Sequence, residues 1–267
     1  MMMNRIDAKF KHLKARKQKA LIPFVTAGYP GLAATEKIVL GLEAAGADLI
    51  ELGVPFSDPI ADGPVIQMSS FEALKKGVAL KNVLGLVRRL RRRTQVPLVA
   101  MTYFNPVLQY GLRRFVDDAL EAGLDGVIIP DLPPQEEKDF QAEAYRKGLA
   151  VVLFISPTTP PARARAIARK ARGFIYFVSL AGVTGARRKL PADLRARLAA
   201  TKRIAGRTPV CVGFGVSSPG QVRELGPYCD GVIVGSAVVN KIREGLRSKD
   251  YAARAAAFVR NLKGLSR

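Results

Sequence analysis

The residues best suited to proton transfer are carboxylates in and just after the apolar run at residues 48–54 (DLIELGV). Glu51 interrupts this run, and the following loop, residues 55–64, adds Asp58 and Asp62. A glutamate buried without a cation has a raised pKa, which suits a general acid or base near neutrality. Pairing with an arginine or lysine is the alternative for Glu51, and turn formation is the simpler interpretation of the aspartates. The position of Asp62 beyond a strand that carries Glu51 favours a catalytic role for both.

Histidine and metal chemistry are disfavoured by the composition. The one histidine, His12, lies in the basic N-terminal segment, and the two cysteines, Cys211 and Cys229, lack metal-ligand spacing. Cys211 falls within an apolar run, so we expect inert, reduced thiols and no metal site. Carboxylates must therefore carry any proton transfer.

Glycines near the end of the chain predict a phosphate site. Gly213 and Gly215 flank Phe214, and Gly235 precedes Ser236 at the start of a helical pattern. Glycine lets backbone N–H groups approach a phosphate, and a helix start adds donors and a positive dipole. A tight turn explains either motif alone, but the occurrence of both favours phosphate binding.

The elements that position these residues are eight short apolar runs, each followed by a turn and a helical pattern. Their near-continuous apolarity suits parallel strands covered on both faces, and eight such units close a TIM barrel, the (β/α)8 fold. The predicted strands are residues 21–26, 48–54, 97–102, 126–129, 150–155, 174–180, 209–213 and 231–234, with helical patterns at residues 35–45, 113–122 and 135–147 between them. An open doubly wound sheet is the alternative, but its glycine-rich loop after the first strand is missing from residues 27–30 (AGYP).

Two connections are long, residues 55–64 after strand two and residues 181–191 after strand six. Active sites of such barrels lie at the C-terminal ends of the strands, and phosphate commonly binds after strands seven and eight. Long loops on that face are often functional. We therefore expect residues 182–185 (GVTG) to assist phosphate binding.

Length and charge limit the class of protein. The 267 residues, 48% of them hydrophobic, suit one barrel domain, residues 1–267. No apolar stretch is long enough for a membrane span and residues 1–19 do not form a secretory signal, so we expect a cytoplasmic protein. The net charge of +21 attracts polyanions. However, the arginine clusters at residues 88–93 and 163–172 alternate with apolar residues, which indicates solvated helix faces rather than a specific nucleic-acid site.

The chain resembles the tryptophan synthase α subunit family over nearly its whole length. The longest match is residues 51–67 (ELGVPFSDPIADGPVIQ). Shorter matches follow the family order at residues 23–30 (PFVTAGYP), 130–133 (PDLP), 176–185 (YFVSLAGVTG), 213–217 (GFGVS) and 235–236 (GS).

The resemblance implies a barrel enzyme that cleaves indole-3-glycerol phosphate to indole and glyceraldehyde 3-phosphate, a step of tryptophan biosynthesis. Glu51 would move protons between indole C3 and the glycerol hydroxyl, and Asp62 would hold the indole N–H. Tyr176 would border the ring and help to place Glu51. The remaining implied substrate contacts are Gly185, Phe214, Gly215, Gly235 and Ser236 around the phosphate, and Phe24, Met101 and Ile129 as apolar walls for which a core role is equally suitable.

The resemblance also implies a partner, a β subunit that carries pyridoxal phosphate in an α2β2 assembly, with no cofactor in this chain. Pro55 and Asp58 are the candidate partner contacts, with turn formation as the alternative. The high net charge and the cations at residues 187–189 depart from the family pattern. A sugar-phosphate isomerase would share the late glycines but not residues 51–67, and a non-catalytic activator of a β subunit would lack Glu51 or Asp62.

Overall fold

The computed structural model describes residues 4–133, 136, 138–178, 193–213 and 215–264. Within them, parallel strands close a barrel in the order β1 to β8, and β8 pairs with β1. The strands are β1 (Ala20–Thr26), β2 (Ile50–Gly53), β3 (Leu98–Met101), β4 (Gly126–Ile128), β5 (Ala150–Ile155), β6 (Ile175–Val178), β7 (Val210–Gly213) and β8 (Gly231–Val234). The predicted (β/α)8 fold is confirmed. Seven observed strands lie within the predicted ones, and β1 begins one residue before its predicted start.

Helices connect the strands and cover the outside of the barrel. They are α1 (Arg5–Ala15), α2 (Leu32–Ala44), α3 (Pro64–Leu74), α4 (Leu80–Arg91), α5 (Phe104–Tyr110), α6 (Leu112–Ala122), α7 (Lys138–Lys147), α8 (Pro161–Lys170), α9 (Leu194–Ala205), α10 (Pro219–Leu225), α11 (Ser236–Glu244) and α12 (Tyr251–Lys263). No helix in these described ranges is long and apolar enough to cross a membrane.

Two apolar layers follow from the alternation of side chains along each strand. One layer fills the barrel interior, and its strand residues include Ile22, Val99, Ile128, Val152, Cys211 and Ile233. The neighbouring residues on the same strands face the helices; Leu52 and Val127, for example, belong to the outer core. Helix α1 covers the lower end of the interior, where Phe10 packs on Phe174 at a ring-centroid distance of 6.0 Å.

Three aspartates repeat one arrangement at the N-terminal ends of the strands. Asp125 and Asp230 directly precede β4 and β8, and Asp48 lies two residues before β2. The carboxylate of each accepts a hydrogen bond from a backbone N–H of the preceding strand. The pairs are Asp48 with Leu21, Asp125 with Leu98 and Asp230 with Val210, at 2.8, 2.8 and 3.0 Å, and the paired cations are Lys263, Arg91 and Lys202 in that order. These contacts fix the register of neighbouring strands at the end opposite the expected active site.

The arginine cluster at residues 88–93 is only partly a solvated face. Arg88 and Arg93 are exposed, as predicted. The side chain of Arg91 is only 12% exposed, because its guanidinium donates to the Asp125 carboxylate at 2.9 Å and to the carbonyl oxygen of Gly123 at 3.0 Å. Arg91 is therefore a structural residue at the lower end of the barrel, and the prediction for this one side chain was wrong.

Candidate active site

Glu51 lies in the upper part of the barrel interior. In the sheet register it stands between Phe24 of β1 and Val99 of β3, two residues beyond the interior residue Leu49. The side chain is 1% exposed, and its Oε2 atom has no hydrogen-bond partner in the described part of the chain. Burial, with repulsion from Asp62 as a second cause, raises its pKa to about 8. The predicted buried glutamate without a hydrogen-bonded cation is present.

Asp62 reaches the same region from the loop after β2. Its N–H donates to the Pro59 carbonyl at 3.1 Å, and its own carbonyl accepts the Gln67 side-chain amide at 2.8 Å, so the end of the loop is fixed to the start of α3. The carboxylate is buried, and Oδ1 has no hydrogen-bond partner within the described ranges. Burial raises its pKa to about 6, although a hydrogen bond from Tyr103 acts in the opposite direction.

Tyr103 is a functional candidate that the sequence interpretation missed. Its hydroxyl donates to Asp62 Oδ2 at 3.1 Å and accepts the Ala61 N–H at 3.0 Å. Val99, Met101 and Tyr103 are spaced by two along and beyond β3, so the strand period that places Glu51 in the interior also marks Tyr103. An aromatic residue directly after an apolar strand is typical of a core, so Tyr103 did not stand out in the sequence.

Apolar and aromatic side chains surround the two carboxylates. The Phe24 ring lies over Gly53, where a Cβ atom would come within 2.3 Å of it. Tyr176 is half-buried and tilts against Phe154 at a centroid distance of 5.1 Å, and Met101 contacts both apolar layers. Phe24, Met101 and Tyr176 are therefore near the barrel mouth.

Ile129 has a different setting from the other predicted wall residues. It is buried in the outer core, whereas its neighbour Ile128 faces the barrel interior. Its packing supports the core role that was the alternative for this residue. A wall role for Ile129 stays a prediction.

The candidate phosphate site lies after β7 and β8. Gly215 has a φ of 62°, in the left-handed region that favours glycine. Gly235 immediately precedes α11, and the buried Ser236 is its first residue. The Val238 N–H donates to the Gly235 carbonyl at 2.8 Å, which leaves the N–H groups of Ser236 and Ala237 as the ones without an acceptor inside the helix. Phe214 and Gly185 lie outside the described residues.

The loop after β2 presents the two candidate partner contacts differently. Asp58 is exposed and accepts a hydrogen bond of 2.5 Å from the Ser57 hydroxyl. Pro55 is buried. The second long connection, residues 181–191, lies outside the described residues.

The two cysteines do not contribute to this site as accessible thiols. Cys211 and Cys229 are both free and fully buried, and burial raises the pKa of each thiol. In the described ranges, no group of three His, Cys, Asp or Glu side chains is arranged to hold a metal ion.

Comparison with known proteins gives one consistent result. A family model described as tryptophan synthase alpha chain matches residues 10–267. The tryptophan synthase alpha chains of Geobacter sulfurreducens and Citrifermentans bemidjiense are 49% and 50% identical over 261 residues, which is 98% of this chain and 98% and 97% of theirs. The crystal structure of tryptophan synthase subunit alpha from Legionella pneumophila is 38% identical, with a TM-score of 0.92 over 99% of this chain and 98% of that one. The chain therefore belongs to the tryptophan synthase alpha chain family.

Proposed function

We propose that Glu51 and Asp62 carry out the retro-aldol cleavage of indole-3-glycerol phosphate to indole and glyceraldehyde 3-phosphate. This carbon–carbon lyase reaction is the activity of the family in tryptophan biosynthesis. The observation that carries the assignment of residues is the pair of buried carboxyl groups, each with a raised pKa and an oxygen without a hydrogen-bond partner in the described chain. Such groups have the free acceptors and the proton affinity that the reaction uses.

The reaction divides into two proton transfers. Protonated Glu51 donates to indole C3, which makes the ring a good leaving group and places positive charge near its nitrogen. The Glu51 carboxylate then takes the proton of the hydroxyl on the adjacent glycerol carbon, as the C–C bond breaks and that carbon becomes the aldehyde. Indole leaves with the proton on C3, and Glu51 ends protonated, as it began.

Asp62 has a different role because its carboxylate must stay ionised. Its unpartnered Oδ1 accepts the indole N–H and stabilises the positive charge that develops on the ring. The lower of the two pKa values, about 6 against about 8, fits this division between a fixed anion and a mobile proton.

The remaining predicted residues bind the substrate. Tyr176, Phe24 and Met101 border the indole ring near the barrel mouth. Backbone N–H groups at Gly215, Gly235 and Ser236, with the Ser236 hydroxyl, hold the phosphate at the start of α11. Gly185, Phe214 and Ile129 complete the proposed set.

The wider setting follows from the same reaction. Two carboxyl groups suffice for both proton transfers, so we infer that this chain needs no cofactor of its own. We also infer that it works in the cytoplasm as one barrel domain. It delivers indole to a tryptophan synthase β subunit, which holds pyridoxal phosphate, in an α2β2 assembly. Asp58 and Pro55 in the loop after β2 are the proposed contacts, and Pro55 becomes accessible only if the loop moves on binding.

The direct test is indole release from indole-3-glycerol phosphate by the purified chain, with and without a β subunit. We expect slow release by the isolated chain and faster release in the complex, because a β subunit that binds the loop after β2 in a conformation closed over the substrate raises the population of that conformation. Single-turnover cleavage across a titration of β subunit measures this effect. No indole in either condition would reject the proposed activity, and a flat rate in a proven complex would reject activation by the partner.

A further inference from the structure

Tyr103 is held rigidly beside Asp62. The side chain is 3% exposed, and its ring stacks on Phe56 with a centroid distance of 5.1 Å and an interplanar angle of 29°. The next residue, Phe104, donates its N–H to both carboxylate oxygens of Asp131, at 2.9 and 3.1 Å. Ring and backbone are therefore fixed from two sides, by the loop after β2 and by the loop after β4.

The Tyr103 hydroxyl makes two bonds whose directions are set by chemistry. It accepts the Ala61 N–H at 3.0 Å, because a backbone N–H can only donate. Its one hydrogen points to Asp62 Oδ2 at 3.1 Å. The loop is thus tied to Tyr103 at two consecutive residues, one through its backbone and one through its carboxylate.

These bonds make the two Asp62 oxygens unequal. Oδ2 is occupied by the phenol, whereas Oδ1 is buried and has no hydrogen-bond partner in the described chain. We propose that Tyr103 is a positioning residue, which holds the Asp62 carboxylate so that Oδ1 is the oxygen offered to the N–H of the substrate ring. This inference rests on the proposed function, in which Asp62 accepts that N–H.

Tyr103 also affects the pKa of Asp62. Among the described residues, Glu51 and Tyr176 also interact electrostatically with Asp62; Glu51 is buried and Tyr176 is half-buried at the barrel mouth. Burial raises the pKa of Asp62, and the donated hydrogen bond from Tyr103 lowers it by stabilising the carboxylate. The pKa of Tyr103 itself is raised, by burial and then by the Asp62 charge, so the phenol keeps its proton at working pH.

The test is Tyr103→Phe, which keeps the ring that stacks on Phe56 and removes the hydroxyl. We expect kcat/KM for indole release to fall on the order of 10- to 100-fold, the range for a hydrogen bond to a charged group. The acid limb of the pH profile should move to higher pH, because Asp62 loses the bond that lowers its pKa. Tyr110→Phe is the matched control, since it removes a phenol–carboxylate bond to Asp118 on the outer helices.

The affinities of two inhibitors distinguish a role of Tyr103 in positioning the Asp62 carboxylate from a role in packing alone. One is 3-(indol-3-yl)propyl phosphate, and the other is its benzothiophene counterpart, which has no N–H. Tyr103→Phe should weaken the indole compound and leave the affinity of the benzothiophene compound unchanged. In an Asp62→Asn background the same change should no longer distinguish the two compounds.

Three results would overturn the inference. The first is an equal loss of affinity for both compounds in Tyr103→Phe, which indicates packing alone. The second is a difference between the two compounds that persists when Tyr103→Phe is made in the Asp62→Asn background. The third is unchanged activity and an unchanged pH profile in folded Tyr103→Phe. Each leaves the proposed function standing if the wild-type chain releases indole. Absence of indole release by the wild-type chain would instead remove the proposed function itself.

Discussion

The hydroxyl of Tyr176 lies so close to Gly213 that a Cβ atom at residue 213 would come within 2.4 Å of its oxygen. Tyr176 on β6 and Gly213 on β7 belong to adjacent strands at the barrel mouth. The absence of a side chain at residue 213 is thus what allows the tyrosine ring its place beside the carboxylates.

Gly213→Ala should therefore displace the Tyr176 ring and reduce kcat/KM for indole release while the barrel stays folded. A loss of roughly 10-fold or more is expected if ring placement shapes the site, since small misplacements of positioning groups have large kinetic effects. Gly85→Ala is the control, because a Cβ there meets nothing nearer than 4.0 Å. Wild-type kinetics in Gly213→Ala would show that the Tyr176 ring is free to move without consequence.

Glu51→Gln and Asp62→Asn should each lower indole formation by roughly 10²- to 10⁴-fold, the range for a positioned acid or base. Both substitutions keep the shape of the side chain, so circular dichroism should remain that of the folded protein. Glu121→Gln changes an exposed carboxylate on α6 and serves as the control. If either variant turned over at a near-normal rate, that residue would have no place in the mechanism.

The pH dependence of kcat/KM should be bell-shaped, with its maximum between about pH 6 and about pH 8. On the acid side activity falls as Asp62, with a pKa of about 6, becomes protonated and can no longer accept the indole N–H. On the alkaline side it falls as Glu51, with a pKa of about 8, loses the proton that C3 must receive. A profile that rises steadily to pH 9 would contradict the assignment of Glu51 as the initial acid.

Much of this architecture follows from the sequence because its signals are local. The eight apolar runs mark the strands, and Glu51 stands out since it is the one carboxylate in the interior of such a run, whereas Asp48 is at the first residue of the same run. Gly213 and Gly215, and Gly235 with Ser236, mark the loops of the proposed phosphate site in the same way.

Other features depend on contacts between residues that are far apart in the sequence, and these contacts leave no local signal. Asp48, Asp125 and Asp230 lie at or directly before the starts of predicted strands, and only the folded structure shows that each binds the preceding strand. In the sequence, Arg91 cannot be distinguished from the exposed arginines beside it, and only the fold places it against Asp125. Tyr103 has a local signal that points to a different role, because an aromatic residue after an apolar strand is expected in a core.

Gly235→Val should abolish most of the affinity for glycerol 3-phosphate. A Cβ at residue 235 comes no nearer than 3.7 Å to a neighbouring atom, in Ile66 and Phe24, so the fold accommodates it, but the added side chain lies where the phosphate would approach the start of α11. Calorimetric titration measures the loss. Gly31→Val is the control, because Gly31 also precedes a helix and has open space around it. Unchanged affinity in a folded Gly235→Val variant would place the phosphate elsewhere.

Glu51→Gln should stabilise the protein, and the gain should grow with pH. The pKa of Glu51 is about 8 in the folded chain and near its ordinary 4.5 in the unfolded one, so between these values the folded state holds a proton that the unfolded state has lost. Wild-type stability is full below about pH 4.5 and falls as pH rises towards 8, at up to about 1.4 kcal/mol per pH unit.

Glutamine cannot ionise, so the variant lacks this loss. Urea unfolding at pH 5, 6, 7 and 8 should therefore show a difference in the free energy of unfolding, variant minus wild type, that widens with pH and levels off above about 8. Glu121→Gln is the control and should show no comparable widening, since the Glu121 side chain is 71% exposed and the substitution removes only a surface ion pair with Arg88. A constant difference for Glu51→Gln as well would mean that Glu51 ionises in the folded chain as easily as in water, which its burial among Phe24, Val99 and Leu49 opposes.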